Sequence, residues 1–420
     1  MRRLPQAAGI ALVLVASILP AATSQEYPVV APQATEARVK TGLEVFLRDP
    51  PDVVRGKRIG LITNPASVDP GLHRDVDLLA ARRDVRLVAL FGPEHGVRGD
   101  QASAIPNGTD PRTGLPVYSL YGPTRQPTAA MLRGIDALVF DLQDVGVRFY
   151  TYISTMALAM RQCAALGIPF VVLDRPDPLG GELVEGPVLD PAWRSFIGLY
   201  PLPVLYGMTV GELAEFLNGE FHIGARLTVV RMEGWRRSLW FDETGLPWVM
   251  PSPGIPHFGT AILYPALGPI GDTGLSVGVL TTKPFEFVGA TFIQPWRLRA
   301  ALDAQHIPGV AFREVYWRGE PWLEVGGPEY GGVEVRVTDR RAYRPVDLML
   351  RLLETVRRLY PGRFRWGRRE GRGYVFDYDM GTDQVRRALA SGASPARIEA
   401  SWEPALERFR QLREKYLLYP

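Results

Sequence analysis

Along the first part of the chain, short β-branched apolar runs alternate with segments whose apolar residues recur at spacings of three and four. The runs at 58–63, 85–90, 115–120, 137–142, 169–173 and 227–232 predict buried strands. Between them, 41–47, 75–83, 149–166 and 209–218 predict helices. Met156, Ala159, Met160 and Cys163 form the apolar stripe of the third, and Thr209 with Glu212 spells a capping box at the start of the fourth. Strands and helices alternating in this way predict an α/β fold, a doubly wound parallel sheet. Several strands run out into polar residues at their carboxyl ends: Asn64, Glu94, Asp144 and Asp174. In open sheets of this kind, that edge is where ligands bind.

Beyond 258 the pattern weakens. A short helix after Pro295, a strand at Val333–Val337 and an amphipathic helix at Pro345–Leu359 predict a smaller α+β domain. The scattered aromatics Trp317, Trp322, Tyr330, Tyr343 and Trp366 read as core and rim. The segment Pro251-Ser-Pro-Gly-Ile-Pro256 marks the seam, so the expected organisation is a signal peptide (1–24), a linker (25–37), an N-terminal α/β domain (38–258) and a second domain (259–420). The signal is read from Arg2 and Arg3, the apolar run 7–18 and the small residues at 22–24, and it implies a secreted or periplasmic protein with no membrane span in the mature chain.

Composition narrows the function by exclusion. With 420 residues, 22% charged, the formal net charge is only +3, too small to argue for nucleic acid or an anionic membrane surface. Cys163 stands alone, so no internal disulfide forms, and its place in a helical stripe reads as core. There is no G-x-G-x-x-G or Walker loop, and the five histidines are dispersed, which argues against a nucleotide cofactor or a metal centre. Gly274-Leu-Ser-Val-Gly278 matches a nucleophile elbow in letters only, because no strand precedes it and no helix follows.

What remains is carboxylate chemistry. Phe91-Gly-Pro-Glu-His-Gly-Val-Arg-Gly-Asp100 places Glu94, His95, Arg98 and Asp100 just past a strand, and a second Gly- and Pro-flanked loop carries Glu185. Paired carboxyl groups suit glycosidic hydrolysis, in which one acts as acid and the other as base, nucleophile or charge stabiliser. A bland role for Glu185, as a helix cap or ion-pair partner, stays open. Arg148 and Arg175 follow Asp144 and Asp174 closely. Each either pairs with its acidic neighbour to stiffen a loop or clamps a substrate carboxylate.

The stretches Phe91–Asp100, Asp141-Leu-Gln-Asp-Val-Gly-Val-Arg-Phe-Tyr-Thr-Tyr-Ile-Ser-Thr155, Leu173-Asp-Arg-Pro-Asp-Pro178 with Gly180-Gly181, and Val184-Glu-Gly-Pro187 together resemble the exo-β-N-acetylmuramidase family over roughly residues 40 to 420. The resemblance implies a Rossmann-like domain, a smaller C-terminal domain and an active site between them. It implies release of N-acetylmuramic acid from the non-reducing ends of peptidoglycan-derived muramyl glycans, without a cofactor. On the matching motifs it implies Glu94 as acid and Glu185 as second carboxylate. Asn64, His95, Arg98, Asp144, Arg148, Tyr150, Tyr152, Asp174 and Arg175 are then expected to bind the sugar. One segment departs from the family pattern. Where members have Glu-Gly-Thr-Asn, Ser and Gly-Arg-Gly-Thr, this chain reads Gly271-Asp-Thr-Gly-Leu-Ser-Val-Gly-Val-Leu-Thr281. That departure motivates a rival reading, a cell-wall sugar-binding protein that keeps the pocket without turnover.

Overall fold

In the computed structural model, residues 38–100, 106–279, 281–318, 328–369, 371 and 373–420 are described. The expected signal and linker, and Trp322, lie outside them. The strands that matter below are, in chain order, β1 (Arg58–Thr63), β2 (Arg86–Gly92), β3 (Gly108–Thr109), β4 (Pro116–Ser119), β5 (Ala137–Asp141), β6 (Phe170–Leu173), β7 (Leu227–Val230), β8 (Phe287–Ala290), β9 (Val310–Arg318) and β10 (Glu329–Val337). The helices that matter below are α1 (Gly42–Arg48), α2 (Asp75–Ala80), α3 (Tyr152–Leu166), α4 (Val210–Glu220), α5 (Phe258–Gly271), α6 (Pro295–Asp303), α7 (Pro345–Leu359), α8 (Val375–Met380), α9 (Gln384–Ala390) and α10 (Pro395–Arg413).

β1 to β7 form a seven-stranded sheet in the order β3-β4-β2-β1-β5-β6-β7. All its pairings are parallel except that of β3 with β4. From β1 the chain winds outward through β2 and β4, then returns to β5 on the other side of β1 and winds outward again through β6 and β7. The order therefore reverses at β1 and β5, and the crevice such sheets use for ligands opens at that point. β5 and β6 are buried along their whole length, as expected of strands covered on both faces.

The smaller sheet is antiparallel, in the order β8-β10-β9. It packs with α6, and α7 lies against α5. One apolar core runs through both parts, from Phe140 and Met156 on the sheet side to Leu267, Leu348 and Leu352 on the other. Cys163 is buried in it, and burial pushes its thiol up to about 12, which makes it inert packing.

The local rules hold where the sequence states them plainly. Thr41 caps α1 and Thr209 caps α4, each with a Glu three residues on completing the capping box. The helix expected at Pro345–Leu359 is α7 to the residue. α5 was not foreseen: it carries Pro265 and Pro269 in its interior, where proline removes a hydrogen bond and ordinarily argues for a break.

Candidate active site

At the end of β2 the chain doubles back on itself. A Cβ on Gly92 would stand 2.8 Å from the Val97 nitrogen, so only glycine allows the turn to close. Inside the turn, His95 adopts φ 69°, a left-handed conformation that few side chains tolerate. The result aims Glu94 away from the sheet. Its carboxylate accepts a 2.6 Å hydrogen bond from Thr151 Oγ1, on the loop that leads from β5 into α3. Glu94 and Thr151 thus belong to strands on either side of β1, beside the point where the strand order reverses.

Both line a cavity of about 860 Å³. Further walls come from Tyr121, Arg125 and Phe196 and, later in the chain, from Tyr264 and Gly268 of α5, Asp272 and residues 275–279, Trp317 and Tyr330 of the antiparallel sheet, and Tyr378 and Asp379 of α8. Trp317 and Tyr330 stack nearly parallel with centroids 5.6 Å apart, so these two aromatics belong to the cavity wall rather than only to core or rim. The Tyr264 phenol is held protonated, first by burial and then by the charges of Asp379, Glu94 and Asp272. It is therefore a hydroxyl donor ringed by the cavity's carboxylates. Ser276, the serine of the G-x-S-x-G match, also lines the cavity, but α5 precedes it and no helix follows, so it is no nucleophile elbow.

Of the residues singled out from sequence, Glu94 is the one the cavity takes. Glu185 is elsewhere. Its backbone pairs with Leu205, which turns the side chain toward the start of α7, where it accepts from the N–H groups of Val346 (3.2 Å) and Asp347 (3.4 Å). It faces a separate hollow of about 350 Å³ that it shares with Arg344, Asp347 and Glu399. Burial pushes its carboxyl up to about 8 against those two N–H bonds. The bland reading fits this placement, and Glu185 is not among the residues that line the cavity with Glu94.

Neither arginine does what either sequence reading expects. Among the described residues Arg148 pairs with no carboxylate, and it does not line the cavity that holds Glu94. Its guanidinium donates to the carbonyls of Pro187 (2.9 Å), Leu202 (2.7 Å) and Asp379 (2.6 Å). Burial pulls it down to about 9, opposed by the Asp379 charge. Gly381, at the end of α8, has φ 66°, and a Cβ there would meet Arg148 Nη2 at 2.9 Å. Arg175 grips Asp141 rather than Asp174, through Nε (2.5 Å) and Nη2 (2.9 Å).

The other polar residues brace the same edge from below. Asp174 accepts from Thr209, the Gly211 N–H and Tyr419, and burial lifts its carboxyl to about 7. Asp144 accepts from Tyr206 and from the Gly146 N–H (2.9 Å), and burial lifts it to about 6. Asn64 donates to Tyr152 Oη and to the Pro251 carbonyl, both at 3.0 Å. Tyr150 is buried against Tyr152 and Tyr264. His95 is half-buried, and Arg98 is exposed and pairs with Asp100 at 3.1 Å. None of these is among the cavity's lining residues.

The sequence reading missed Thr151, Tyr264, Asp272 and Asp379. Thr151 lay inside a quoted motif, and Asp272 lay in the departing segment, which does line the cavity. Asp379 had no local signal to find it by.

A family description reading "Exo-beta-N-acetylmuramidase NamZ" matches in two parts, its N-terminal model over residues 59–259 and its C-terminal model over 262–419. A Bacillus subtilis protein named peptidoglycan β-N-acetylmuramidase NamZ is 46% identical over 388 residues, covering 92% of each chain. Two crystal structures of DUF1343 family proteins from Bacteroides fragilis share the fold. One has a TM-score of 0.85 at 40% identity over 92% of this chain and all of the other, and the second 0.73 at 29% identity over 91% and 99%. By sequence from end to end of the described fold, the chain belongs to the exo-β-N-acetylmuramidase family.

Proposed function

We propose that this chain is a glycosidase that releases β-linked N-acetylmuramic acid from the non-reducing ends of peptidoglycan fragments, with Glu94 as the general acid. The observation that carries the reading is Glu94 itself. It is half-buried, fixed by Thr151, and set on the wall of the cavity at the sheet's switch point, in a chain nearly half identical to a named muramidase. Cleavage needs a proton delivered to the departing oxygen while positive charge grows on the sugar ring. Glu94 supplies the proton, and Asp272 and Asp379, which line the same cavity, supply negative charge. Tyr264, kept as a hydroxyl, can donate to the sugar.

The sequence reading's second carboxylate is replaced in this scheme by the cavity's own acids. Export, inferred from the signal-like start, suits a substrate that lies outside the cytoplasm, and N-terminal sequencing of the protein recovered from the producing cell tests it. The activity itself is tested with a chromogenic β-N-acetylmuramide. The wild type should turn it over steadily, whereas Glu94→Gln should bind it with little turnover. A fully active Glu94→Gln would remove the assignment. Tight binding by the wild type without product would favour the sugar-binding alternative.

A further inference from the structure

The cavity is lopsided in charge. Glu94, Asp272 and Asp379 line it, and among its described lining residues Arg125 is the one lysine, arginine or histidine. Arg125 lies on the loop beyond β4, the strand next to β2. Gly92 and Ser119 are register partners there, so Glu94 and Tyr121, each two residues further on, leave the sheet edge side by side. The loop is pinned at its root, because Ser119 Oγ donates to the Tyr121 carbonyl at 3.1 Å.

The guanidinium is held by rings rather than by acids. Its Cζ stands 4.4 Å from the centroid of Phe196 and 5.7 Å from that of Tyr121, and the two rings are 6.0 Å apart. Phe196 sits in a tight turn closed by two backbone hydrogen bonds between Ser195 and Gly198. Among the described residues no carboxylate pairs with Arg125. Stacking takes up the flat faces of a guanidinium and leaves its N–H edge, the part that matches a carboxylate two bonds at a time, free for a ligand.

A neutral sugar has no use for such a group, whereas an anionic one finds in it a matching charge on the wall that also carries Glu94. N-acetylmuramic acid differs from N-acetylglucosamine by one lactyl ether, whose carboxylate is its only charge. We propose that Arg125 is the specificity-determining residue that pairs with this carboxylate, an inference that rests on the muramidase reading above. It reassigns to the β4 loop the role that sequence offered to Arg148 and Arg175. The stack on Phe196 and Tyr121 fixes the distance between the clamp and Glu94, so that binding the lactyl group places the glycosidic oxygen by the acid.

The test compares para-nitrophenyl β-N-acetylmuramide with its lactyl methyl ester, on wild type, Arg125→Met and Arg125→Lys. Wild type should favour the free acid by about 100-fold in kcat/KM, the effect of a charge-assisted pair, mostly through KM. Arg125→Met should hydrolyse acid and ester within about 3-fold of each other, and keep most of the wild-type rate on the ester. Arg125→Lys, which keeps the charge and loses the fork, should fall between them. If both variants keep the wild-type preference, or the wild type has none, the assignment of Arg125 is overturned while the hydrolase stands. A wild type inert toward both compounds would instead remove the muramidase reading itself, and this inference with it. Should Arg125→Met lose activity on both substrates, calorimetric titration with N-acetylmuramic acid decides. Affinity near that of the wild type overturns the proposal, and affinity reduced to that for N-acetylglucosamine supports it.

Discussion

Two sets of polar side chains meet at the carboxyl edge of the large sheet, and they are built on opposite principles. Below the edge, Asp144, Arg148, Asp174 and Arg175 are buried and turned toward backbone groups, hydroxyls or, for Arg175, the carboxylate of Asp141. At the edge, Glu94, Asp272, Asp379 and Arg125 line an open cavity. The first set resists water and fixes the loops. The second set forms the wall of the cavity that those loops hold in place. Burial lifts the carboxyls of Asp144 and Asp174 in the first set, so a shifted carboxyl here is as much a mark of scaffolding as of catalysis.

This contrast fails if the two sets can be exchanged in their effects. The largest expected effect is at the edge. Glu94→Gln should lower kcat by roughly 10³-fold, the range for loss of a general acid, and leave the melting temperature within about a degree of wild type. Steady-state kinetics beside thermal melts would show it, and a variant that melts early would move Glu94 into the scaffold. Arg148→Ala should do the reverse. It strips donors from three buried carbonyls and should cost about 3 kcal/mol or more in denaturant unfolding, with kcat falling only as far as α8 shifts.

A pH series sharpens the same line. Glu185 carries its proton in the folded state up to about pH 8, whereas the free side chain loses it near 4.5. Between those values the folded protein binds the additional proton, so its contribution to stability is full below 4.5 and is lost as pH rises toward 8. Melting temperatures of wild type and Glu185→Gln should therefore diverge from pH 5 to pH 8, with the wild type falling more steeply. Parallel curves would mean that the α7 terminus does not hold a neutral carboxyl. The smallest effect is expected for Thr151→Val, which removes one hydrogen bond to the Glu94 carboxylate. About a 10-fold loss in kcat/KM, with stability unchanged, is the expected result.

The large sheet was legible because each strand is a short β-branched run and each helix repeats at the helical period. α5 and α10 were not. The first hides behind Pro265 and Pro269, and the second carries Pro404 and dense Glu and Arg in place of a clean apolar stripe. In the site, Glu94 was readable because a strand, a Gly-Pro stop and a carboxylate are neighbours in sequence. Glu185 misled for the same reason. Sequence shows a carboxylate between glycine and proline and says nothing of whether it faces a cavity or the N–H groups of a helix 161 residues away. Tyr264, Asp272 and Asp379 reach the cavity only through packing of the second sheet and its helices, and no local spacing encodes that.

Arg148 has one consequence beyond stability. A cation sealed from solvent and tethered to segments at 187, 202 and 379 makes any swing of α8 leave a charge stranded in oil. The α8 part of the cavity wall is therefore pinned to the loops at 187 and 202, and amide hydrogen exchange in α8 should be as slow without a sugar as with one.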